Sequence, residues 1–194
     1  QIERLWDSAK AIFENVARVS VAIPHVDPTI AGLVLHETTE VGIIDHYYRG
    51  KDRRWFCDGV ANYVSWRVVR DRHGPVAAKQ AYDIDGKLAQ FADLRGQVDL
   101  RHWPAVEQEA KSDPAPRLTL ARYVFATRAV FLMNDRAGES TLPRLFAEIG
   151  RTKRGRVTIK TVEKAWQEIS GTKIDAVLAE AVQPPPSPPP AKAG

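Results

Sequence analysis

Ile2, Leu5, Trp6, Ala9, Ile12, Phe13 and Val16 recur at helical spacing, which predicts an amphipathic helix of about four turns at the start of the chain. Val19-Ser20-Val21-Ala22-Ile23 then alternates as a short strand does, until Pro24 and Pro28 interrupt it. From about residue 28 to 48 the pattern is helical again, with Asp27 or Thr29 as candidate caps and Gly50 as the candidate stop. Up to Leu35 this helix is so apolar that burial along much of its length is expected. Trp55, Phe56, Val60, Tyr63, Val64 and Val68 mark another helix to about Arg72, stopped by His73-Gly74-Pro75. Two consecutive helices on a short link should touch, antiparallel or crossed.

Further helical patterns run over about 76–93, 118–136, 141–149, 159–169 and 174–181. Residues 94–116 carry Gly96, Pro104, Pro114 and Pro116 and predict an irregular connection. The expected fold class is mainly α, formally α+β because of the short N-terminal strand. One domain over 1–182 followed by a Pro-rich tail over 183–194 is the simplest division, since the proline run can neither pack nor extend a ladder.

Composition changes this picture little. With 194 residues, 44% hydrophobic and 27% charged, the chain is long enough to bury its own core. A formal charge of +4 is spread over most helices instead of lining one face, so nucleic acid is not an expected partner. One cysteine, Cys57, excludes an internal disulfide framework and a Cys-rich zinc knuckle. No stretch approaches the roughly 18–20 apolar residues of a membrane span, and Gln1-Ile2-Glu3-Arg4 does not open like a signal peptide. A trimmed start and a proline tail lean toward an exported or periplasmic protein. Oligomeric state is not readable.

The chemistry concentrates in Leu35-His36-Glu37-Thr38-Thr39-Glu40. On a helix, residues four apart face the same way, so His36 and Glu40 can converge on one point with Glu37 beside them. Zinc accepts imidazole nitrogen and carboxylate oxygen at similar distances, so this is a two-donor claw with an adjacent base. A third donor must come from another element, and the next helix offers Asp58 in Trp55-Phe56-Cys57-Asp58-Gly59-Val60-Ala61-Asn62-Tyr63.

Together these segments resemble the gluzincin metallopeptidases, in which H-E-x-x-H is followed on the next helix by W-[LF]-x-E-G-[LVI]-A-E-Y. The resemblance puts the family's first histidine on His36, its catalytic glutamate on Glu37, its second histidine on Glu40 and its glutamate ligand on Asp58. The outer-shell glutamate of that pattern falls on Asn62. A further match lies in Tyr123-Val124-Phe125-Ala126-Thr127-Arg128-Ala129-Val130-Phe131-Leu132 followed by Gly138, where the family's transition-state tyrosine falls on Tyr123. The resemblance covers about 19–64 closely and 118–178 in outline. It implies a helical peptidase domain, zinc or another divalent ion such as Mn held by His36, Glu40 and Asp58, Glu37 as general base, and a peptide or protein substrate lying along the Val21 and Ile23 strand.

The departures leave two readings open. One imidazole and two carboxylates make a neutral sphere around a divalent ion, which acidifies water less than two imidazoles and one carboxylate do and suits harder ions better. Without metal, the crowded carboxylates raise at least one proton affinity unless His36, Arg53 or Arg54 relieves them. The first reading is a peptidase with an altered site; the second is a pseudopeptidase that keeps the cleft and binds peptides without cleaving them. A basic nucleic-acid-binding helical module is a third, resting on Arg151-Thr152-Lys153-Arg154-Gly155-Arg156.

Each of these residues also has a plainer reading. His-Glu-x-x-Glu alone is an ordinary solvated helix face, and His46 points away from it. Cys57 fits a buried inert thiol better than a nucleophile. Asp83-Ile84-Asp85-Gly86 lacks the other acidic positions of a calcium loop and reads as a turn. Trp6, Trp66 and Trp166 lie on apolar faces and belong to a core.

Overall fold

The computed structural model describes residues 27–40, 44, 48, 54–103, 116–152 and 157–184. The expected first helix with Trp6, the strand with Val21 and Ile23, His46, Arg53 and the proline tail beyond residue 184 lie outside these. Among the described residues every regular element is helical. They are α1 (Pro28–Thr39), α2 (Arg54–Ala81), α3 (Ile84–Gln90), a 3-10 helix (Ala92–Gln97), α4 (Arg117–Ala137), α5 (Thr141–Thr152), α6 (Ile159–Ser170) and α7 (Ile174–Ala181). The protein is mainly α, and one isolated parallel bridge, Tyr48 to Val157, is the sole β-type pairing among the described residues. None of these helices is long and apolar enough to cross a membrane.

α2 and α4 form the centre. Their contacts advance together from Arg54 with Tyr123 to Tyr63 with Phe131 and Arg67 with Glu139, so the two helices run parallel. A parallel pair needs a crossover, which the segment holding α3 and the 3-10 helix provides. At Gly59 the backbones meet so closely that a Cβ would stand 2.5 Å from the Ala126 carbonyl oxygen. Any side chain there would push the helices apart. Trp55, Phe56, Phe125, Met133, Leu145 and Trp166 fill the surrounding core, each essentially without exposure. Cys57 is buried, as expected, and Trp166 is core; Trp66 is half-buried, edge-on to Phe131 at 4.7 Å.

α2 breaks at the expected place. Gly74 has φ 86° and ψ 173°, outside helical space, and Pro75 restarts the helix, since its fixed φ suits a first turn. The expected helix over 76–93 is divided again because Asp83 accepts a hydrogen bond from the Gly86 N–H at 3.2 Å and caps α3. α1 packs across both halves of α2: Ala31 and Leu35 cluster with Val69, Ala77 and Ala78, and Gly32 faces Ala81. Burial is confined to that side. Ile30, Leu33 and Val34 stand about half to two-thirds exposed, at 59%, 61% and 49%, correcting the expectation of a helix buried along much of its length.

Candidate metal centre

Asp27 starts α1 by accepting the Thr29 N–H at 2.7 Å, with Pro28 in the first turn where its missing N–H costs nothing. Leu35, 2% exposed, anchors the helix on α2, and the buried Thr39 hydroxyl donates back to the Leu35 carbonyl at 2.7 Å. Those anchors turn His36 and Glu40 toward α2. The regular helix stops at Thr39, and Glu40 and Ile44 lie in wider, π-type turns, a distortion often found beside functional groups.

His36, Glu40 and Asp58 come together as the spacing predicts. One ligand atom from each lies within 4.8 Å of the others, and His36 Nε2 is 3.2 Å from Glu40 Oε2. That contact requires either a proton on Nε2 or a cation in its place, because an imidazole lone pair facing a carboxylate is repulsive. Burial pushes the His36 pKa down, but the hydrogen bond it donates to Glu40 and the charges of Glu40, Asp58 and Glu37 outweigh it, and the net shift is upward. His36 Nδ1 is buried and has no hydrogen-bond partner among the described residues.

Asp58, 2% exposed, sits on the first turns of α2 beside the Gly59 contact, which fixes it against α4. A buried carboxylate needs a cation or strong donors. Arg54, one turn earlier, brings Nε to 3.9 Å from Asp58 Oδ2 and donates from Nη2 to the Tyr123 hydroxyl at 2.9 Å. Its guanidinium also lies 4.4 Å from the Trp103 ring centroid, and Trp103 stands edge-on to Tyr123 at 4.9 Å. Burial, with the Asp58 charge next, raises the Tyr123 phenol above its ordinary value, so it is protonated at neutral pH. Accepting from Arg54 leaves that proton for an acceptor in front of it.

An open cleft of about 580 Å³ runs past His36, Glu40 and Tyr123, walled by Gly32, Leu33, His36 and Glu37 of α1, by Glu40 just beyond it, by Ala81, Tyr82, Lys87, Gln90 and Phe91, and by Leu120, Tyr123 and Val124 of α4. Glu37 is exposed on its wall. Asn62 also lines it, but its amide donates to the Thr127 hydroxyl at 2.9 Å. Thr127 in turn gives its single proton to the Tyr123 carbonyl at 2.7 Å, so the Tyr82 hydroxyl at 3.2 Å must be a second donor to it. Burial raises the Tyr82 phenol to about 12, consistent with a permanent donor.

No family model matches this chain, and no curated protein or solved structure matches it. The site must therefore be judged on its donors. One imidazole and two carboxylates are a chemically acceptable set for a divalent ion, and the 3.2 Å His36 to Glu40 separation is close to the ~3.3 Å edge implied by metal–ligand distances near 2.0–2.2 Å. The group can hold a metal ion.

Sequence reasoning missed Trp103, Tyr82 and Thr127. The signal for Thr127 was present: Asp58 and Asn62 on α2 share the four-residue spacing of Tyr123 and Thr127 on α4, giving two rungs one turn apart. Trp103 follows a segment without periodicity, and nothing in its spacing points to Arg54.

Proposed function

We propose that the protein is a metal-dependent hydrolase of the gluzincin type, acting on peptide bonds, with an altered His36, Glu40 and Asp58 ligand set. The observation that carries this reading is the convergence of those three donors, two of which, His36 and Glu40, line a cleft that also presents Glu37 and Tyr123. A divalent ion such as zinc or Mn would supply Lewis-acid polarisation and an acidified water there. In this reading Glu37, which is exposed on the cleft wall, takes a proton from the attacking water and passes it to the leaving amine. Tyr123, held protonated and oriented by Arg54, donates its O–H to the developing oxyanion. Asn62 steadies the α4 wall through Thr127. The apolar wall from Leu33, Phe91 and Leu120 suits peptide side chains.

One observation favours a second reading, the pseudopeptidase that binds peptides without cleaving them: Arg54 already engages both Asp58 and Tyr123 with a positive charge. Metal analysis of protein purified without chelator, followed by peptide-library cleavage by wild type and Glu37→Gln, separates the two. Stoichiometric metal with cleavage lost in Glu37→Gln supports the hydrolase. Peptide binding without metal or cleavage in either protein overturns it in favour of the pseudopeptidase.

A further inference from the structure

The guanidinium of Arg54 is a cation already beside one of the candidate ligands, Asp58. It approaches Asp58 at 3.9 Å, donates to Tyr123 at 2.9 Å and is stacked at 4.4 Å on Trp103. Its side chain keeps only 15% exposure, and that of Asp58 only 3%, so their attraction is weakly screened by solvent. Neither the donor spacing of a metal site nor the helix pattern requires a cation here. Its position has an electrostatic consequence for any ion that enters.

We propose that Arg54 is a positioning residue that acts as the built-in counter-cation of the site, competing with a divalent ion for Asp58 and thereby setting the affinity for metal. The inference rests on the proposed metal site but concerns a residue outside the ligand set. With the ion absent, Arg54 compensates the buried Asp58 and keeps Tyr123 oriented by its hydrogen bond. With the ion present, two cations share one carboxylate, and the ion binds more weakly than the donors alone would hold it. The Trp103 face gives the guanidinium a second place to rest, so it can turn from Asp58 without losing all of its contacts.

The test has a sign that a purely structural role would reverse. Titration calorimetry with Mn2+ and with Zn2+ is run on wild type, Arg54→Gln, Arg54→Met and Arg54→Lys, with thermal unfolding of the metal-free proteins as the folding control. Arg54→Met keeps an apolar stem against Trp103 should Arg54→Gln fail to fold. Removing the unit charge that lies 3.9 Å from Asp58 should tighten binding roughly tenfold or more in the neutral variants, while Arg54→Lys, which keeps the charge, stays within about threefold of wild type. Unchanged or weaker binding in the neutral variants overturns the inference and leaves the metal site standing. Binding by the neutral variants but not by wild type upholds the inference and removes the metalloenzyme reading. Absence of binding in all four proteins removes both.

Discussion

Gly59 and Ala126 are in backbone contact: a Cβ on Gly59 would lie 2.5 Å from the Ala126 carbonyl oxygen and 3.0 Å from Val130 Cγ2. The adjacent Asp58 reaches the site because no side chain separates the helices at this point. Gly59→Ala should therefore force α2 from α4, at a cost of about 1–3 kcal/mol for an overpacked core. For a chain of this size that lowers Tm by roughly 2–4 °C per kcal/mol. The same variant should weaken metal binding, because it displaces Asp58 relative to α1. Thermal unfolding and Mn2+ titration check the two effects; a tolerated alanine with unchanged Tm would overturn the close contact as the feature that sets the α2 to α4 spacing.

Thr127 gathers three hydrogen bonds on one hydroxyl, accepting from Asn62 and Tyr82 and donating to the Tyr123 carbonyl. Thr127→Val preserves shape and removes both acceptor lone pairs, leaving two donors without a partner. The expected loss is about 1–3 kcal/mol. Thr127→Ser should retain most of the stability because the hydroxyl remains. Urea unfolding of the two variants distinguishes the hydrogen bonds from simple packing.

The helices of the second half were legible because their apolar faces are long and their stops are marked. Residues 118–136 and 174–181 anticipate Arg117–Ala137 and Ile174–Ala181, and Gly74 marks the break in α2. The expected helix over 76–93 was misjudged because periodicity does not register a side-chain cap: Asp83 starts a new helix in the middle of it. The exposure of Ile30, Leu33 and Val34 was missed for a related reason, since a run of apolar residues does not say which side a neighbour covers. The candidate site was readable where four-residue spacing converts directly into convergence, as for His36 and Glu40. The contributions of Trp103 and Tyr82 were not, because each meets its partner on a helix far along the chain, a pairing that no local pattern encodes.

The metal-free protein should lose a small part of its stability as pH rises. The His36 pKa is raised above its ordinary 6.5, with burial opposing and Glu40 foremost among the groups that raise it. A raised folded pKa means that the folded state holds the proton more tightly than the unfolded chain. The stabilisation is complete below about 6.5 and disappears as pH rises through the higher folded value. For this partly buried pair on one helix it is about 1 kcal/mol or less. Unfolding in chelator between pH 5.5 and 8.5 should show the decline in wild type and lose it in His36→Gln. A flat wild-type profile over that window would remove the pair as a contributor.

Glu40→His tests the ligand set itself. Two imidazoles and one carboxylate give a divalent ion a net positive sphere, whereas one imidazole and two carboxylates give a neutral one, and the former acidifies water more strongly. The substitution also removes the group that most raises the His36 pKa, so protons compete less with metal for that imidazole near neutral pH. Both effects act in one direction for zinc. Glu40→His should bind Zn2+ roughly tenfold or more tightly than wild type, lose preference for harder ions such as Mn2+, and gain peptide hydrolysis if Glu37 and Tyr123 are placed as proposed. Competitive Zn2+ and Mn2+ titrations read the first two effects, and cleavage by Glu40→His against the double variant with Glu37→Gln reads the third. Tighter zinc without any hydrolysis would mean that the two helices retain a metal claw but have lost the alignment between Glu37, Tyr123 and a bound peptide.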